Sequence, residues 1–155
     1  ALSLAQVRDI FSGRITNWKD LGWADRSIDA VTREEGSGTR GAFEELIMNK
    51  DSINDAIMVQ DSNGSVKEVV ATDPYALGYI SLGIIDERVA AVSVDSVLPS
   101  IQTIRNKKYK IVRPFLYLLM GEPNRYTQTF IDYVLSAAGQ NILQNEGLIP
   151  VHVGK

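Results

Sequence analysis

The stretch "SIDAVTREEGSGTRGAFEELIMN", residues 27–49, changes its periodicity halfway along, and that change sets the fold. Its first seven residues, "SIDAVTR", read as a short buried strand ending at Arg33. Gly36, Ser37 and Gly38 then supply a turn. From Thr39 to about Asn49 the pattern is helical, with Phe43, Leu46 and Ile47 on one face. "AIMVQ", residues 56–60, follows as a strand. Strand, glycine loop, helix and strand in that order make the repeating unit of a parallel α/β sheet.

The flanking sequence extends the pattern. In "SLAQVRDIFSG", residues 3–13, Ser3 and Gln6 form a capping box, Leu4, Val7, Ile10 and Phe11 share a helical face, and Gly13 is the stop. "RITNWKDLGWADR" is a turn-rich connection in which Trp18 and Trp23 read as packing residues. "NGSVKEVVAT" predicts a third helix, with a capping box expected at Ser65 and Glu68. "ALGYISLG" and "VAAVSV" predict further strands. A short helix from Pro99 to about Arg105 precedes "YKIVRPFLYLLM", whose alternation predicts a long strand broken at Pro114. The tail predicts a helix from about Tyr126 to Leu135, a glycine break at Gly139 and a short helix before "GLIPVHV". The charged run "RNKKYKIVR", residues 105–113, reads either as a solvated loop or as a hinge or crossover.

Composition narrows the classes of function. A chain of 155 residues, 45% apolar and 23% charged, is enough for one ordinary globular domain. Sixteen basic against nineteen acidic residues leave a net charge of -3, which argues against nucleic acid as a partner. With no cysteine there is neither a disulfide framework nor a thiolate metal site. His152 has no neighbouring ligand pattern, and Asp25, Asp29 and Asp61 form no spaced metal-ligand set. No apolar run approaches the roughly 20 residues of a spanning helix. The opening "ALSLAQVRDIF" lacks a basic n-region and an apolar h-region, so no targeting signal is expected within it.

The glycine turn is the candidate site. A loop leaving the carboxyl end of a strand is where ligands bind in α/β sheets, and a helix start presents amides without intrahelical partners to an anion. Ser37 and Thr39 add hydroxyl donors, Arg33 adds a planar fork, and Gly36 and Gly38 let the backbone approach closely. Arg40 is open between ligand contact and a surface ion pair. Ser65 is open between capping alone and a second contact from a neighbouring helix start. A plain strand-to-helix connection with a serine cap is the competing explanation of the turn. A nucleotide P-loop does not fit, because the lysine after the last glycine and the glycine spacing are both missing.

Taken in order, "LSLAQVRDIFSGRITNWKDLG", "VTREEGSGTRGAFEEL", "ALGYISLG", "VRPFLYLLM" and "FIDYVLSAAGQNILQNEGLIPV" resemble the phosphate-binding proteins of bacterial and archaeal ABC phosphate importers. These are type II periplasmic binding proteins. The resemblance implies an α/β layered sheet with flanking helices, one lobe of a normally two-lobed fold that closes on a phosphate ion. It places a phosphate-binding lobe with the glycine turn at 1–110. Residues 111–155 are then a returning strand and helices that normally pack on the first lobe, most of which would precede this chain. Phosphate ligands implied by the resemblance are Arg33, Glu35, Ser37, Gly38 and Thr39, while Glu34 has no counterpart and is expected to face solvent. Glu35 stands where the family often has aspartate and is expected to pair with Arg33. As a carboxylate it would accept a hydrogen bond from protonated phosphate and repel sulfate. The implied partners are inorganic phosphate and a membrane permease, the location is extracytoplasmic, and neither cofactor nor catalytic residue is expected. The apolar stripe Phe130, Val134, Leu135 and Ile142 should fold back on this lobe or be buried in a homodimer. The alternative functions are a phosphoester-processing enzyme and a phosphate-sensing or interaction module built on the same turn.

Overall fold

In a computed structural model, which describes residues 1–151, the sheet is built from three short parallel strands: β1 (Asp29–Arg33), β2 (Met58–Gln60) and β3 (Ala76–Gly78). Their spatial order is β2-β1-β3, with Val31 opposite Met58 on one side and Gly78 on the other. The central strand is the one quoted above, and its last three residues, Val31, Thr32 and Arg33, are buried. Each parallel neighbour requires a crossover, which the helices supply. The fold is thus α/β with a parallel sheet and flanking helices.

Helix α1 (Leu4–Phe11) starts from the expected box, Ser3 and Gln6, and is followed by Gly13 at a φ of 80°. Its face of Val7, Ile10 and Phe11 is buried, with Leu4 at the margin. Helix α2 (Gly38–Phe43) runs directly into a π turn, Glu44–Met48. Because a π turn holds more residues than an α turn, Met48 as well as Phe43 and Ile47 faces the core. Arg8 Nε secures the turn by donating to the Ile47 carbonyl at 2.8 Å. Phe11 and Phe43 meet edge to face at 4.6 Å, and Tyr79 stacks on Phe43 at 4.0 Å.

Helix α3 (Asn63–Thr72) corrects the predicted cap. The box joins Ser62 to Ser65, one turn earlier than Ser65 and Glu68, because the Ser65 hydroxyl performs the reciprocal bond to the Ser62 amide. "VAAVSV" forms no strand; Leu2 and Val94 make an isolated bridge, with Leu2 N–H donating to Ser93 and Asp95 N–H to Leu2. "YKIVRPFLYLLM" also forms no strand, since it finds no ladder partner among the described residues. Trp18 is half-buried and donates Nε1–H to the Tyr75 carbonyl, whereas Trp23 is 58% exposed, with its ring against those of Trp18 and Tyr75. Helix α4 (Ile101–Arg105) is capped by Ser100.

The chain divides into two compact units after Val112. The first holds the sheet, α1 to α4 and the core. The second holds α5 (Arg125–Leu135) and α6 (Ala137–Asn145), which pack on each other. The break between them falls at Ser136, which ends α5 and caps α6, and not at Gly139. Gly139 instead lies buried inside α6, where an added Cβ would collide with the Tyr133 and Val134 backbone. Of the predicted stripe, Val134 is half-buried, whereas Phe130, Leu135 and Ile142 are exposed. His152 lies outside the described residues. Among the described residues no helix is long and apolar enough to cross a membrane.

Candidate functional site

The site lies at the carboxyl edge of the sheet, where the loops leaving all three strands converge. At the end of β1, Glu34 N–H still donates to the Gln60 carbonyl at 3.1 Å and prolongs the ladder by one residue. The chain then reverses: Ser37 N–H reaches back to the Glu34 carbonyl, with Gly36 at a φ of 86°. A left-handed residue is required at that third turn position, which is why glycine is there. Ser37 caps α2, its Oγ accepting from Arg40 N–H at 3.3 Å, so the hydroxyl proton is not used by the cap. Thr39 sits in the first turn, where an amide has no acceptor within the helix. Ser37 is buried, Thr39 half-buried, and Glu35, Gly36 and Gly38 are exposed.

Arg33 is the organising side chain and is only 10% exposed. Its Nε–H and an Nη2–H donate to the two oxygens of Glu34, at 2.8 and 3.0 Å. Nη1 donates to Asn63 Oδ1 at 3.0 Å and Nη2 to the Asp61 carbonyl at 3.4 Å. The pairing expected with Glu35 is therefore made with Glu34. The turn explains this: Glu34 remains beside Arg33 as the last extended residue, while Glu35 enters the reversal and is carried to the surface. Hydrogen bonding to Arg33 holds the Glu34 carboxyl below its ordinary range, and the same bond raises the Arg33 guanidinium.

Arg40 donates Nε–H to Glu44 at 2.8 Å, one turn on, and Nη1–H to the Arg33 carbonyl at 3.0 Å. Ser65 spends its hydroxyl on the α3 cap and on Asp61 Oδ1 at 3.0 Å. The structure thus gathers Arg33, Ser37, Gly38 and Thr39 in one loop and helix start, with Arg40 engaged beside them and Ser65 in the cap of the neighbouring helix.

Three residues that sequence reading overlooked complete the site. Asn63, the first residue of α3, accepts from Arg33 and donates Nδ2–H to Ser81 Oγ at 3.2 Å, joining the loops after all three strands. Tyr79 shares a 2.6 Å hydrogen bond with Thr32 Oγ1 and accepts the Arg33 amide at 3.3 Å, which ties the site to the aromatic core. The signal for Asn63 was positional: it follows the predicted strand "AIMVQ", and the carboxyl ends of adjacent parallel strands face one crevice. Ser81 was hidden inside the predicted strand "ALGYISLG", which ends at Gly78. Among the described residues no group of three or more His, Cys, Asp or Glu could hold a metal ion.

Known proteins share this fold. The family model of the PBP superfamily domain matches residues 1–138. Phosphate-binding protein PstS 2 of Streptococcus agalactiae is 39% identical over 139 residues, covering 83% of this chain and 47% of that protein. Phosphate-binding protein PstS of Bacillus subtilis is 33% identical over 152 residues, covering 97% of this chain and 50% of that protein. Among solved structures, a candidate phosphate ABC transporter substrate-binding protein with bound phosphate from Clostridium perfringens superposes with a TM-score of 0.87 at 41% identity, covering 97% of this chain and 63% of that one. An ABC-type phosphate transport receptor from Vibrio cholerae gives 0.83 at 32% identity, covering 95% and 62%. The chain spans about half the length of the curated relatives it matches.

Proposed function

The chain belongs to the PBP superfamily domain family, and on that basis we propose that its glycine turn binds inorganic phosphate for an ABC phosphate importer. The observation that carries this reading is the concentration of donors in one loop: Arg33, the Ser37 hydroxyl and the first turn of α2 stand within seven residues at the sheet's carboxyl edge. The names of relatives such as the Bacillus subtilis protein support the choice of phosphate over other oxyanions. Glu35, exposed at the mouth of the turn, would accept a hydrogen bond from the proton that phosphate carries and sulfate lacks. The whole protein would act outside the cytoplasm without chemistry on the ion and pass it to a membrane permease. The exposed faces of α5 and α6 make a second copy of the chain a further proposed partner.

Calorimetry tests the reading. Charge-assisted hydrogen bonds contribute roughly 1.5–3 kcal/mol each, less the cost of immobilising the ion. A site with this loop as its donor set should therefore bind with a Kd on the order of 1 mM, or about 4 kcal/mol. Phosphate should bind more tightly than sulfate, and Arg33→Ala should remove binding of both. Equal affinity for the two anions, or phosphate binding that survives Arg33→Ala, would refute the assignment. Release of a chromogenic alcohol from a phosphoester by the purified chain would point to an enzyme instead.

A further inference from the structure

Glu34 lies outside the ion-binding set, yet it occupies that set's arginine. A guanidinium has five N–H donors. Four of those on Arg33 go to protein acceptors: two to Glu34, one to Asn63 Oδ1 and one to the Asp61 carbonyl. Only one Nη1–H remains without a hydrogen-bond partner among the described residues. An oxyanion held by an arginine fork uses two parallel N–H groups, so it cannot be gripped that way until a present partner leaves.

The three partners are not equally able to leave. The Asp61 carbonyl is backbone. Asn63 is fixed in the first turn of α3 and is tied through Nδ2 to Ser81. Glu34 is a side chain, 39% exposed, on the last extended residue before the turn. It is also the one partner with the chemistry of the incoming ligand, two anionic oxygens presented to two donors.

We propose that Glu34 is an intramolecular competitor for Arg33, a tethered carboxylate that fills the guanidinium fork and is displaced when a phosphate-like oxyanion binds. The inference rests on the phosphate reading above and adds a residue that sets which anions succeed. A ligand must outcompete a carboxylate held at high effective concentration. Ions without two suitably spaced oxygens, such as chloride, fail that test. The arrangement also keeps a nearly buried guanidinium paired, which avoids the cost of an uncompensated charge.

The test is phosphate calorimetry on the unaltered chain, Glu34→Gln and Glu34→Asp, with thermal melts to verify folding. Glu34→Gln removes the charge at constant size. Glu34→Asp keeps the charge but withdraws it by one methylene from the two-point contact. Displacement predicts tighter phosphate binding in both variants, by about two- to fivefold for a pair of this exposure. A gain in the Gln variant with none in the Asp variant would mean a simple field effect and would overturn the competitor role. Unchanged or weaker binding in Glu34→Gln would overturn it as well, leaving the phosphate reading intact. No heat from any of the three proteins at saturating phosphate would defeat both.

Discussion

Asp29 begins β1 at the end of the sheet away from the glycine turn, where its carboxyl group feels the charge of Asp73. Desolvation raises the Asp29 carboxyl above its ordinary range, and the Asp73 charge adds to the rise. A carboxyl raised in the folded state stabilises the fold at pH below its unfolded value and loses that contribution as pH climbs through the folded value. Asp29→Asn should therefore raise the melting temperature relative to the unaltered chain near neutral pH and lose that advantage in acid, below the carboxylate range. Melts by circular dichroism across that range would check it, and a difference independent of pH would refute it. The same loop geometry governs what could be read at the other end of the strand. Arg33, Ser37 and Thr39 were legible because strand end, glycine turn and helix start are local signals. Which of Glu34 and Glu35 pairs with Arg33 was not, because adjacent glutamates have the same composition and differ only in which side of a reversal they stand on. Gly36 at a φ of 86° decides that, and no pattern in the sequence states it.

The contact between β3 and α3 is where the sheet's architecture is least tolerant. An added Cβ on Gly78 would stand 2.6 Å from Val66 Cγ1 and 3.4 Å from Val70 Cγ2. Val66 is 1% exposed and β-branched, so it has little freedom to turn aside. Gly78→Ala should cost about 1–3 kcal/mol by overpacking. The helix pushed away carries Asn63, so loosened anion binding should accompany the loss of stability. Urea denaturation beside calorimetry would show both, and an alanine variant as stable as the parent would rule out the tight contact. Elements such as β1 and α1 were legible because their periodicity and caps are local. The two expected strands that failed, "VAAVSV" and "YKIVRPFLYLLM", have the right side chains, but a strand is defined by its neighbour. The first finds only isolated bridges among the described residues, from Val94 to Leu2 and to Val97, and the second finds no ladder among them. The cap of α3 was misplaced because Ser62 and Ser65, like Ser65 and Glu68, satisfy the spacing, and the choice rests on which hydroxyl meets which amide.

The chain as a whole carries its stability and its apolar exposure in different units. The first unit has a core of Val7, Ile10, Phe11, Phe43, Ile47 and Met48 among others. In the second, Phe115 is 83% exposed, Leu116 75% and Leu118 91%, and Met120 is fully open. Phe130, Tyr133, Leu135 and Ile142 on α5 and α6 are exposed as well. Consecutive large apolar side chains in water exceed what scattered surface residues account for, and such surfaces drive association. The purified 155-residue chain should therefore sediment as a concentration-dependent mixture of monomer and larger species and should enhance the fluorescence of a hydrophobic dye. Replacing Phe115, Leu118 and Met120 together by serine should shift the chain toward monomer and reduce the dye signal. It should leave phosphate affinity unchanged, because every proposed ligand residue lies in the first unit. A monomer at all concentrations without dye binding would refute the claim that this surface is sticky. Lower phosphate affinity in the serine variant would instead show that the second unit supports the site, a dependence that local sequence patterns around the glycine turn do not contain.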